Sequence, residues 1–158
     1  MLINDGVLHS CLFYPSFQFK KNRSEYYRQL TSVRERGTYE EWIEFFCASL
    51  LESAKDSVGS LKSLVDLHNR STAAITENLG RTAANGQRLL SLLEEHPILD
   101  TAFIAARLDI GRSTASSLVK SFEELGILRP LDESRQRYRQ YGYEEYLSIL
   151  REDAEPIR

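Results

Sequence analysis

Asp100-Thr101-Ala102-Phe103-Ile104-Ala105-Ala106-Arg107-Leu108-Asp109-Ile110-Gly111-Arg112-Ser113-Thr114-Ala115-Ser116-Ser117-Leu118-Val119-Lys120 reads as two short helices joined by a tight turn. Asp100 is placed to cap the first, over residues 101–108, by accepting a hydrogen bond from an early backbone N–H. Ile104, Ala105 and Leu108 fall on one face of it, and Ala105 is small where two helices would cross closely. Asp109-Ile110-Gly111 makes the turn, with the glycine taken as the residue that permits it. In the second helix Ala115, Leu118, Val119, Phe122 and Leu125 recur at helical spacing and point inward. Arg112, Ser113, Ser116, Ser117 and Lys120 are left on a polar, partly basic outer face. Such a face suits a helix that enters the major groove of DNA, with serines for phosphates or base edges and cations for charge.

Outward from this pair the pattern completes a winged helix-turn-helix. A preceding helix over residues 87–95 buries Leu89, Leu90 and Leu93 and ends at His96-Pro97. After Gly126 a hairpin is expected, with strands at 128–131 and 137–141 around a polar tip at 132–136. Arg135, Arg137 and Arg139 alternate, so they project from one face of the return strand, as a basic wing against the sugar-phosphate backbone or minor groove would. A closing helix over residues 144–150 packs Tyr146, Leu147 and Leu150. Charge does not select DNA by itself. Residues 87–150 hold eight Lys and Arg against ten Asp and Glu, so the module is acidic by two, and only its focused basic edge can neutralise phosphates. A protein-interaction or dimerisation role stands beside DNA binding.

Upstream the chain is helical. Residues 1–8 read as a helix tail stopped at Gly6, and Pro15 opens a new helix. Over 21–35, Tyr26, Leu30 and Val33 line an apolar face, and Gly37 stops the helix. Thr38 and Glu41 form a capping box for the next, whose apolar stripe is Trp42, Ile43, Phe46, Leu50 and Ala54. After Gly59 a second pattern begins, with Leu61, Val65, His68, Thr72, Ile75 and Leu79 stepping by four and three as a coiled-coil seam. It packs within the chain or across a dimer axis. Residues 81–86, after Gly80, read as a hinge. The expected organisation is therefore a helical region at 1–80, a hinge at 81–86 and the winged helix at 87–158. The fold class is mainly α, a helical bundle followed by a winged helix-turn-helix with a small β-hairpin.

Composition sets the remaining limits. An apolar fraction of 42% supports a packed core, and a formal net charge of −3 is not that of a general polyanion binder. Cys11 and Cys47 have no companions at metal-ligand spacing and are expected as reduced, buried thiols. No apolar run reaches the about 20 residues of a membrane span and no signal peptide is visible, so a cytoplasmic protein is expected. His9, His68 and His96 are isolated, with His68 expected as a packing residue. No cofactor, metal or small-molecule ligand is expected. The expected partners are double-stranded DNA and a second copy bound through the helical region.

Residues 1–8, Leu12-Phe13-Tyr14-Pro15-Ser16, residues 21–30 and residues 33–46 resemble the end of the Fic core and the helices after it in Fic-domain proteins. Residues 137–150 resemble the last strand and helix of the winged helix that such proteins often carry. The resemblance implies a parent enzyme that transfers AMP from ATP to a protein hydroxyl through a His-Pro-Phe-x-(Asp/Glu)-Gly-Asn-Gly-Arg loop whose histidine is the general base. The chain lacks that loop, and Asn85-Gly86-Gln87-Arg88 only echoes it. On this reading the chain is the regulatory tail of such an enzyme, beginning just past the chemistry and not itself catalytic, with its winged helix binding DNA or restraining the core.

Overall fold

A computed structural model describes residues 15–132 and 139–152. They are mostly helical, with one small three-stranded antiparallel sheet. They form two compact units, one of residues up to Lys62 with Glu152 and one of Ser63–Arg151. Among the described residues no helix is long and apolar enough to cross a membrane.

The first unit contains α1 (Pro15–Lys21), α2 (Arg23–Arg36) and the first part of α3 (Tyr39–Asn78). Gly37 ends α2 as expected: its φ of 69° is left-handed, and its N–H donates to the Val33 carbonyl. Aromatic rings hold the unit together. Phe19 stacks on Phe46 at 5.6 Å and also meets Tyr26, while Tyr26 meets Trp42 edge-on at 5.7 Å.

Several expectations change here. The buried residues are Gln18, Gln29, Ser32, Ser49 and Ser53, while Leu30, Ile43 and Phe46 remain exposed. Ser49 satisfies its hydroxyl on the Phe45 carbonyl. Gln18 donates to the Asp56 carboxylate. The Thr38 hydroxyl meets Ser32 Oγ at 2.7 Å, in place of the expected capping box with Glu41. Gly59 does not divide two helices, because α3 runs through it unbroken. A helical glycine costs only about 1 kcal/mol against alanine, which a helix of this length absorbs. Cys47 is exposed and not buried. Cys11, His9 and the expected helix tail at residues 1–8 lie outside the described residues.

The second unit runs from the last part of α3 through a 3-10 turn (Gly80–Thr82), α4 (Ala83–Glu95), β1 (Ile98–Asp100), α5 (Thr101–Leu108), α6 (Arg112–Glu124), β2 (Arg129–Pro130), β3 (Gln140–Gly142) and α7 (Glu144–Glu152). Its core is apolar and continuous. Ile75, Leu89, Leu90, Leu93, Ile104, Ala115 and Phe122 are fully buried, and Tyr143 nearly so. Where the sequence suggested a hinge, the chain is a 3-10 turn followed by the first turn of α4. Gly86 is there for packing: a Cβ on it would lie 2.7 Å from Ile75 Cγ2 and 2.8 Å from Leu79 Cδ2. The bareness of this residue lets α4 lie against the end of α3.

The expected seam is only partly inside. Ile75 is buried and Leu79 packs against the core, but Leu61, Val65 and His68 are exposed. Leu67 and Ser71 take the inward positions instead. His68 is therefore not a packing residue; its Nδ1 meets Glu94 Oε1 at 2.6 Å. Ser71 Oγ meets the Tyr143 hydroxyl at 2.9 Å, and the Tyr146 hydroxyl donates to the Glu94 carbonyl. Burial and this acidic neighbourhood hold both tyrosine phenols above their ordinary range.

Candidate nucleic-acid interface

The turn between α5 and α6 is built by different residues from those anticipated. The Asp100 carboxylate accepts from the Phe103 N–H at 2.7 Å, as its capping position required. At the other end of α5 the left-handed residue is Asp109, at φ 54°, and its N–H donates to the Ala105 carbonyl. Gly111 is extended, at φ −63° and ψ 149°, and serves as the N-cap of α6. Aspartate tolerates the left-handed region better than most residues, so the turn does not need its glycine there.

Arg88, one of the eight basic residues counted in the charge of the module, is committed internally. Its Nη2 donates to the Leu108 carbonyl at 2.7 Å and its Nη1 to Asn85 Oδ1 at 3.3 Å. It thus ties α4 to the last turn of α5, where a cation also suits the helix dipole. Its spacing from Leu108 across two helices left no signal in the sequence.

On α6, Ala115, Leu118, Val119 and Phe122 are buried, and Arg112, Ser113, Ser116, Ser117 and Lys120 are exposed. Among the described residues Arg112 and the three serines have no side-chain hydrogen bond or ion pair. Lys120 Nζ lies 3.8 Å from Glu124 Oε1, both of them exposed, a pair too loose and solvated to hold the lysine in place.

The sheet differs from the expected hairpin by one strand. β3 lies between β1 and β2, with Leu99 opposite Tyr141 and Pro130 also opposite Tyr141. β1, from residues 98–100, was not anticipated; it has three residues, too few for alternation to register. Arg139 immediately precedes β3, while Arg135 and Arg137 lie outside the described residues.

These elements enclose a cleft of about 430 Å³, lined by Asp100, Thr101 and Ala102 from the start of α5, Arg112 and Ser116 from α6, and Arg139 and Tyr141 from the wing. Three of the expected residues, Arg112, Ser116 and Arg139, are brought together there. Ser113, Ser117 and Lys120 are elsewhere on the exposed face of α6. Thr101, Ala102 and Tyr141 are additions. The first two carry N-terminal N–H groups at the positive end of α5, a setting suited to an anion. Two arginines and a serine there can meet a phosphate oxygen, against the Asp100 carboxylate, which lines the same cleft and already sits on that helix end. Among the described residues no group of three or more His, Cys, Asp or Glu side chains could hold a metal ion.

One family model agrees with this geometry. Residues 82–132 match the IclR helix-turn-helix domain, from the 3-10 turn to the start of the wing. A solved structure of the YusO protein from Bacillus subtilis is similar at 19% identity, with 63% of this chain and 76% of that one covered and a TM-score of 0.35. No curated protein matches the sequence. The resemblance to Fic-domain proteins is overturned by the family match, which is a helix-turn-helix of the IclR type and not a Fic domain. The AMP-transferase parent and its loop therefore fall away. The stretches behind that resemblance, residues 21–30 and 33–46, form paired amphipathic helices joined through Phe19, Tyr26 and Trp42. Aromatic positions at helical spacing are what any such pairing needs, so they do not single out one family. What the chain carries is a winged helix-turn-helix domain.

Proposed function

We propose that this chain is a cytoplasmic DNA-binding regulator. The exposed face of α6 lies in the major groove, where Arg112, Ser113, Ser116, Ser117 and Lys120 meet base edges and phosphates. The wing arginines Arg135, Arg137 and Arg139 follow the backbone or minor groove. The reading module is residues 87–158, joined through 81–86 to a helical region at 1–80 that pairs two copies. The observation that carries this reading is the cleft shared by Arg112, Ser116 and Arg139 at the start of α5. Its polar side chains on α6 have no other described partner to satisfy them.

Fluorescence anisotropy with labelled duplex DNA at low salt tests the proposal. Binding is expected, and Arg112→Ala is expected to weaken it by about 1–3 kcal/mol, from fivefold to over a hundredfold. Absence of any binding at low salt, or full affinity in Arg112→Ala, would remove the reading.

A further inference from the structure

Along α3, Cys47, Leu51, Ala54, Val58, Leu61 and Val65 are spaced by four, three, four, three and four residues. This is an unbroken a/d heptad spacing, and all of it but the half-buried Ala54 is exposed. Leu51, Val58, Leu61 and Val65 are 57%, 50%, 47% and 58% exposed, and Cys47 is exposed as well. An isolated exposed leucine needs no account, but a stripe that returns every 3.5 residues over about 27 Å of helix is shaped for another helix. Beyond Val65 the seam ends, because its next positions, His68, Thr72 and Ile75, are engaged with Glu94, Gln87 and the core.

The geometry points to a second copy of this chain as the occupant, with the two α3 helices side by side in parallel as a short two-stranded coil. This rests on the pairing named under the proposed function and specifies its surface. Three observations select that partner. The seam is self-complementary, so a two-fold axis along it covers both copies with no further molecule. The a positions are Leu51, Val58 and Val65 and the d positions Cys47, Ala54 and Leu61, and the valines at a around Leu61 at d are the choice that favours two strands. The flanking charges then fix direction. The e positions are Ala48, Lys55 and Lys62, and the g positions are Leu50, Ser57 and Leu64. A parallel pair sets each lysine against an uncharged g residue, whereas an antiparallel pair sets lysine against lysine. Lys55 is meanwhile neutralised on its own helix by Glu52, 2.8 Å away.

With about two and a half heptads, the pair is expected to be reversible and concentration-dependent. Sedimentation velocity on the full chain from low to high micromolar concentration reads it directly. The wild-type protein should pass from monomer to dimer. Leu61→Asp and Val58→Asp should each raise the dissociation constant at least tenfold, while Tyr39→Ser, off the seam, should not. Because positions 58 and 61 face solvent, both variants should keep the wild-type circular dichroism. In a Cys11→Ser background, mild oxidation should join two chains through Cys47, since a parallel d position brings the two Cα atoms within disulfide range. A monomer at every concentration, or a dimer indifferent to both aspartates, would overturn the seam. A seam-dependent dimer that resists Cys47 cross-linking would overturn the parallel arrangement. DNA binding fails or stands separately. A monomer that still binds duplex DNA condemns the seam alone, and a seam-dependent dimer without DNA affinity condemns the reading function alone.

Discussion

Tyr143 shows how much of the second unit turns on single side chains. It is almost wholly buried, and its hydroxyl meets Ser71 Oγ, a residue of α3 far away in sequence. Tyr143→Phe keeps the ring and leaves a buried serine hydroxyl without this partner, which should cost about 0.5–1.5 kcal/mol of stability at neutral pH. The same site gives a pH dependence with a definite sign. Burial, the largest cause, together with Glu94 and Glu145, raises the phenol above its ordinary value near 10 against the opposing hydrogen bond to Ser71. The folded chain therefore holds this proton to higher pH than the unfolded one. The stability linked to it is intact below pH 10 and is lost as pH climbs through the raised value. Thermal melts of both proteins from pH 8 to 11 should show the wild-type advantage shrinking above pH 10. A gap constant over that range would mean that Tyr143 ionises as it does in the unfolded chain.

At the scale of elements, the crossing of α4 on the end of α3 depends on Gly86. Gly86→Ala gains about 1 kcal/mol of helix propensity but drives a methyl against Ile75, which is fully buried and stiff at its branched Cβ. Overpacking of this kind costs about 1–3 kcal/mol, so the net effect in a denaturant titration should be a loss of up to about 2 kcal/mol. A stabilised variant would show that α4 can move away freely. The residue was legible only as a break, because a sequence shows that a position lacks a Cβ and not what would have met one. α5 and α6 were legible for the opposite reason. The N-cap of α5 and the inward faces of both helices are local, set by Asp100 and by residues three and four apart, such as Ala115, Leu118 and Phe122. The α3 helix lies between these cases. It has one apolar stripe through Leu67 and Ile75 and another through Val58 and Val65, and periodicity finds both without telling which the fold covers. The cleft was half legible. Arg112 and Ser116 followed from the face of α6, while Thr101 and Tyr141 joined through the pairing of β1 with β3, a contact across some 40 residues that leaves no trace in local pattern.

For the whole molecule, electrostatics constrains how DNA can be bound. The chain carries a formal charge of −3, so beyond a Debye length of about 8 Å it repels a duplex and offers no long-range steering. Attraction must come from close contacts at one edge, where Arg112 and Arg139 line the cleft and Lys120 lies further along α6. Close contacts release counterions, each phosphate neutralised contributing about −0.9 to the slope of log affinity against log salt. Four or five contacts per copy predict a slope of about −4, and Arg112→Ala should make it shallower by about one. The proposed pairing through α3 would add a symmetry requirement, because two identical reading modules about a two-fold axis match an inverted repeat. On such a site the wild-type dimer should show about twice the slope of Leu61→Asp, whose single module makes half the contacts. Anisotropy titrations at several salt concentrations, with one inverted repeat and one half-site, separate the terms. Equal slopes for the two proteins on the inverted repeat would mean that one module binds at a time. A slope near zero would mean that the basic edge of α6 and the wing does not touch the backbone at all.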